Sequence, residues 1–261
     1  MTAPIPRDLP DIPALPRTHP ASAALFAPAR AVVPLVRRPL TAAYRLLLAL
    51  LAAGAVLVET LLGSPARVLS HFAVQSAILL ALVMLASARR TWSARHPLPG
   101  ALTGAALLYV IMASLTQHVL LADPAPRLAT TGAAAGPSWL EPLAAHTLHT
   151  VLPVAAVLDW LLLSPPARLR LRQAATWLLY PLAYLAFTLA RGALLTGSPA
   201  RYLYPFLDVA RHGYRHVLAN ALLLGLALYA LAVLLVALDH ARPNPVRPRS
   251  KTGFRLRPPV G

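Results

Sequence analysis

Six apolar stretches, each close to the roughly 20 residues that a helix needs to cross a bilayer, punctuate this 261-residue chain. No other feature constrains the fold as strongly. In lipid every backbone N–H and C=O must find a partner inside the protein, which leaves helices or closed barrels. Runs of this length, with no period-two alternation, specify helices. The expected fold is all-α: a polytopic membrane helix bundle of six transmembrane helices. The spans are placed at Ala42–Leu62, Phe72–Ala88, Ala101–Leu121, Leu143–Leu163, Ala174–Leu195 and Val217–Leu238.

Composition supports that reading. Charged residues make up 12% of the chain, hydrophobic residues 57%, and mean hydropathy is +0.61, whereas a soluble domain carries about a quarter charged residues. The net charge of +16 invites a nucleic-acid partner, but the arginines lie in tails and short loops between apolar spans. That is membrane topology, so no nucleic acid is expected. There are no cysteines, which excludes disulfides and thiolate metal sites. Only Lys251 among the 24 basic residues is lysine, and with the heavy use of Ala, Leu, Arg and Pro this reads as a GC-rich bacterial genome.

Residues 1–39 are rich in proline and arginine without helical period and read as a disordered cytoplasmic tail, as does the basic segment 241–261. The six-span domain occupies 40–240. Lysine and arginine also set the orientation. With an even number of spans, eighteen fall on the side of the two tails and the second and fourth loops, against five on the other (Arg67, Arg127, Arg201, Arg211 and Arg215). The positive-inside bias then puts both termini in the cytoplasm, N-in and C-in, of a multi-pass protein of the bacterial plasma membrane. Trp92, Trp139, Trp160 and Trp177 lie near span ends, where indoles favour the interface.

Most polar residues within or beside the spans fall toward the opposite, outer side. They include Glu59, Ser70, His71, Gln75, Ser76, Gln117, His118, His146, His149, Thr150, Arg191, Thr196, Asp208, His212, His216 and Asn220. Ionisable groups at such depth usually face a bundle interior or wet cavity, so an outward-facing polar pocket is expected. Asp159 and Asp239 fall at the inner side, near loop and tail arginines, as charge partners. His149 stands four residues before Pro153, which has no N–H to offer the His149 carbonyl. Span four is expected to kink there, with neighbours or water meeting the freed carbonyl. A hydrated histidine at a kink suits a general base, and equally a hydrogen-bonded structural histidine.

Three of these segments carry a family resemblance. HTLHTVLPVAAVLDW (His146–Trp160), YPFLD (Tyr204–Asp208) and WLLYPLAYLAFTLARG (Trp177–Gly192) resemble, in the right order, motifs of the androgen-induced and ADTRP-type membrane proteins and their bacterial six-span relatives. The resemblance covers about residues 42–240. It implies an intramembrane hydrolase of fatty-acid esters that uses a threonine nucleophile and a histidine, here His149, with His146 as the fallback. The family's F-x-T-x-Q-S-N element corresponds to Phe72-Ala73-Val74-Gln75-Ser76-Ala77, so Ala73 occupies the threonine position. Alanine has no hydroxyl, and this implies either loss of threonine-type catalysis or a substitute.

If the chain is active, the expected site is Ser76 as nucleophile, His149 as base, His146 and Arg191 positioning groups or stabilising charge, and Asp208 orienting a histidine. Thr150 and Thr196 are weaker hydroxyl candidates. The expected partners are membrane lipids and an acyl-ester substrate, with no cofactor and no metal. The alternative is a non-catalytic lipid- or partner-binding membrane protein. A metal-dependent hydrolase would draw on the pairs His146/His149 and His212/His216, and a transporter lacks the paired Gly/Pro-interrupted segments that would mark it.

Overall fold

A computed structural model describes residues 37–121, 139–166, 168–195 and 201–243. Arg7, Arg17, Arg127, Thr196 and most of both tails lie outside them. Six helices are long and apolar enough to cross a membrane: α1 Pro39–Leu62, α2 Phe72–Trp92, α3 Gly100–Leu120, α4 Leu140–Leu163, α5 Leu171–Leu194 and α6 Val209–Ala241. No strand occurs among the described residues. The all-α six-span bundle is therefore what the chain forms.

The helix ends follow local chemistry. Pro39 opens α1, where its missing N–H costs nothing. The Asp208 carboxylate caps α6, accepting from the amides of Ala210 at 2.9 Å and Arg211 at 3.3 Å. Gly213, near the start of α6, holds φ 72° and ψ 161°, a conformation open to glycine and strained for other residues. On α1 the buried residues Ala42, Arg45, Leu48, Ala49, Ala52, Ala55 and Glu59 recur every three or four positions, one helical face. Its alanines let α2 approach closely. Gly100 and Gly104 do the same for α3: a Cβ on Gly104 would lie 2.6 Å from the Trp177 ring.

The arginine-rich end is locked by two buried aspartates. Asp159 accepts from Arg45 Nε at 2.8 Å and from the Ser164 hydroxyl at 3.1 Å, while Arg45 also donates to Thr91 on α2 at 3.0 Å. Asp239 gathers more of the chain. It accepts from the amides of Arg168 at 2.7 Å and Leu169 at 2.9 Å, from Trp160 Nε1 at 3.1 Å, and from Arg242 at 2.7 Å. Both act as the charge partners expected of them. Trp92 and Trp139 are 60% and 61% exposed, as interfacial indoles would be. Trp177 corrects that expectation. It is 3% exposed, and its indole donates to the Ala101 carbonyl at 2.9 Å, because the glycines of α3 make room for it. Trp160 likewise turns inward, drawn by Asp239.

Removing one member of such a network strands the rest in a low dielectric. Asp239→Ala is expected to destabilise the protein by about 3–5 kcal/mol, read as a lowered melting temperature in detergent. A conservative surface change such as Leu234→Ile should leave it almost unmoved.

Candidate functional site

Two prolines interrupt helices near the middle of the bundle. Pro153 in α4 leaves the His149 carbonyl without its helical donor, and Pro181 in α5 leaves that of Trp177. Both freed carbonyls are met from α3. The Ser114 hydroxyl donates to His149 O at 2.6 Å, and the Tyr109 hydroxyl donates to Trp177 O at 2.8 Å. The helices deform where this happens. α4 widens into a π turn over Thr147–Val151, and α5 breaks at Trp177–Leu178. A second π turn, Thr116–Leu120, ends α3. Such turns recur at functional sites because they re-aim side chains out of helical register.

Beside these deformed segments lies a cavity of about 540 Å³ between α3, α5 and α6, reaching the start of α2 and the π turn of α4. That size falls within the range of small-molecule sites. Its lining is mostly leucine, alanine and aromatic carbon. The polar contribution is confined to Thr116, Gln117, His149, Tyr184, Tyr204 and Tyr229. The α6 wall residues Leu218, Leu222 and Leu226 are also largely exposed on the bundle surface, Leu222 to 66%. The cavity thus has a side facing where lipid would lie. Gly225 lines it, and a Cβ there would meet nothing within 4 Å.

The expected outward polar pocket is therefore corrected to an apolar cavity with a few polar groups, because most polar side chains satisfy local backbone instead. Ser70 donates to Ala66 O at 2.6 Å, and Ser76 to Phe72 O at 2.7 Å. Gln75 donates to Leu69 O at 3.0 Å and accepts from Tyr180 at 2.6 Å. Asn220 donates to Phe206 O at 3.0 Å. His71 donates from Nδ1 to Arg67 O at 2.9 Å and meets Tyr204 edge-on, with ring centroids 5.9 Å apart. Burial pulls its imidazole below the usual value, in keeping with a neutral ring. Glu59 is fully buried and neither carboxylate oxygen has a hydrogen-bond partner.

Of the expected site residues, His149 alone lines the cavity. It is buried, and its Nδ1 has no hydrogen-bond partner. His146 is exposed. Ser76 is fully buried and is not among the lining residues. Arg191 donates to Arg201 O at 3.0 Å, across the α5–α6 connection. Asp208 is spent on the α6 cap and an ion pair with Arg211 at 3.4 Å, so it orients no histidine in this structure. His212 and His216 are exposed. Among the described residues no three metal-capable side chains gather.

Ala73 does line the cavity. Tyr204 lines it as well, and its hydroxyl lies against the backbone of Phe72 and Ala73; burial pushes that phenol well above its usual value, so it stays a donor. The segments around Ala73, His149, Tyr184 and Tyr204, distant in sequence, thus converge on one space. A less expected arrangement sits at its edge: His118 Nε2 lies 3.3 Å from the Thr150 hydroxyl, and His118 Nδ1 lies 2.8 Å from Ser114 O. Thr150 and His118 were each visible in the sequence as polar residues near span ends. Their pairing depends on how α3 meets α4.

The fold and cavity define a multi-pass, all-α membrane protein. No family model, curated protein or solved structure matches the chain.

The α3 hydroxyls are expected to be structural. Ser114→Ala and Tyr109→Phe each orphan a buried carbonyl, and each should lower stability by about 1–3 kcal/mol, measured by thermal unfolding in one detergent. Changes within error for both would show that the prolines impose no such need.

Proposed function

We propose that this protein holds a long acyl chain of a membrane lipid in the cavity between α3, α5 and α6, with the lipid's carboxyl or ester end near Ala73, His149 and Tyr204. The observation that carries this reading is an apolar cavity, faced by exposed leucines of α6, whose polar lining is limited to Thr116, Gln117, His149 and three tyrosines. A water-soluble ligand would need more hydrogen-bonding groups than this lining offers. Acyl carbon gains by burial, and a donor phenol suits a carboxyl or ester oxygen. The protein would act in the bacterial plasma membrane, with both ends cytoplasmic.

The likeness to intramembrane fatty-acid ester hydrolases supports the same reading from another side. Its separate motifs supply residues to one cavity, and the position of the family's threonine, Ala73, lines that cavity together with His149. In this reading the pocket has been kept while the hydroxyl at its nucleophile position has gone. Lipid binding without chemistry at Ala73 is the function favoured for the cavity itself.

Two variants test it. Gly225→Phe adds a ring to open space and improves helix propensity, so the fold should persist. The affinity for a fluorescent palmitoyl ester, titrated in detergent, should fall at least about tenfold, equivalent to ~1.4 kcal/mol. Unchanged affinity would remove the acyl chain from this cavity. Ala73→Thr is expected to confer slow hydrolysis of the same ester above the wild-type rate. If binding persists without such a gain, the ancestral-hydrolase part fails and the lipid-binding part stands.

A further inference from the structure

We infer that Glu59 is a proton-binding site: the folded protein holds it as a carboxylic acid, and the proton leaves only when α1 parts from α4. Glu59 is fully buried, and both of its carboxyl oxygens lack a hydrogen-bond partner. The acidic members of the ion pairs among the described residues are Asp159, Asp208 and Asp239, so Glu59 is not among the paired carboxylates. A carboxylate taken out of water without a partner takes up a proton instead. Within a membrane span such a residue is a functional candidate in its own right.

Two helix ends decide where negative charge is tolerated. Glu59 stands in the last turn of α1, and its carbonyl accepts from the Gly63 amide at 2.9 Å, where the helix stops. The aligned peptide dipoles leave partial negative charge at that end, which opposes an anion. Glu141 lies in the first turn of α4, the end that favours one. The two carboxyl groups act on each other across the α1–α4 contact, and Glu141 Oε1 is likewise buried without a partner. With Glu141 ionised, a charge on Glu59 would meet repulsion, the wrong end of a helix dipole and a dry environment together.

α1 packs chiefly against α2, α4 and the short helix Pro65–Val68. α2 carries no ionisable group before Arg89, at its far end. α4 offers Glu141, His146 and His149 before Pro153. The chain between α1 and α2 carries Arg67 and His71, and His71 Nδ1 donates to the Arg67 carbonyl at 2.9 Å. Arg45, about four turns back along α1, is already paired with Asp159 at 2.8 Å. Neither Glu59 nor Glu141 lines the lipid cavity, so the proton site stands apart from the ligand proposed there.

Infrared spectroscopy of the full-length protein in detergent micelles tests the site directly. At neutral pH the carboxylic C=O stretch of a protonated glutamate is expected in wild type, shifted in D2O and absent from Glu59→Gln. A wild-type spectrum without a carboxylic band that Glu59→Gln removes overturns the inference. Thermal unfolding from about pH 5 to about pH 9 gives a second readout. The folded state keeps a proton that unfolded Glu59 releases, so wild-type stability falls as pH rises above the ordinary glutamate range. Relative to Glu59→Gln, the folding equilibrium constant should drop by up to about tenfold per pH unit. Arg67, His71, Glu141, His146 and His149 are common to both proteins and cancel in the difference. A difference that stays constant across the range overturns proton binding. So does a melting temperature raised by sodium chloride and not by choline chloride, in wild type alone, because a metal cation would then occupy the site.

Discussion

The architecture depends on the need to satisfy every backbone carbonyl within a medium that offers no water. Pro153 and Pro181 each break one helical hydrogen bond, and in a soluble helix solvent would replace it. Here α3 replaces both, through Ser114 and Tyr109. Two hydroxyls on one helix thereby hold α4 and α5 on either side of it. The deformed turns that result also set the cavity, since residues of α3, α4 and α5 line it. Helix breakers, their hydroxyl partners and the pocket are one device.

The two ends of the bundle are built on different physics. At the arginine-rich end, Asp159 and Asp239 collect donors from α1, α4, α6 and the α4–α5 connection. Each charge is both paired and hydrogen-bonded, the condition under which buried ions are tolerated. At the other end most polar groups look after their own backbone, and leucines of α6 stay exposed. That division explains why the polar residues named at the outer side yield a mostly apolar cavity: they close turns and caps instead of pointing inward.

The candidate site was legible in part. His149 was readable because proline four residues later exposes its carbonyl, and Ala73 because a motif surrounds it. Ser76 and Asp208 looked equally suitable in the sequence, yet one donates to its own helix and the other caps α6. Both outcomes follow from local hydrogen bonding that competes with any catalytic role, which residue type alone cannot rank. The Thr150–His118 contact was illegible for a different reason. It joins residues 32 positions apart through a π turn in each helix, and π turns shift the face on which every later side chain emerges.

By itself the sequence determined the number of spans, their limits to within a few residues except at the N-terminal end of α6, which begins eight residues earlier than its apolar core, and the end of the bundle where the charges gather. Those properties follow from hydrophobic length and from the cost of placing arginine in lipid, and both are sums over local composition. Only the tertiary structure decided which helices touch, which hydroxyl meets which freed carbonyl, and whether six apolar spans pack solid or enclose a space. Leucine faces lipid and protein alike, so apolar composition carries no record of its neighbour. The cavity arises from the mutual placement of α3, α5 and α6, and that placement exists only once the chain has folded.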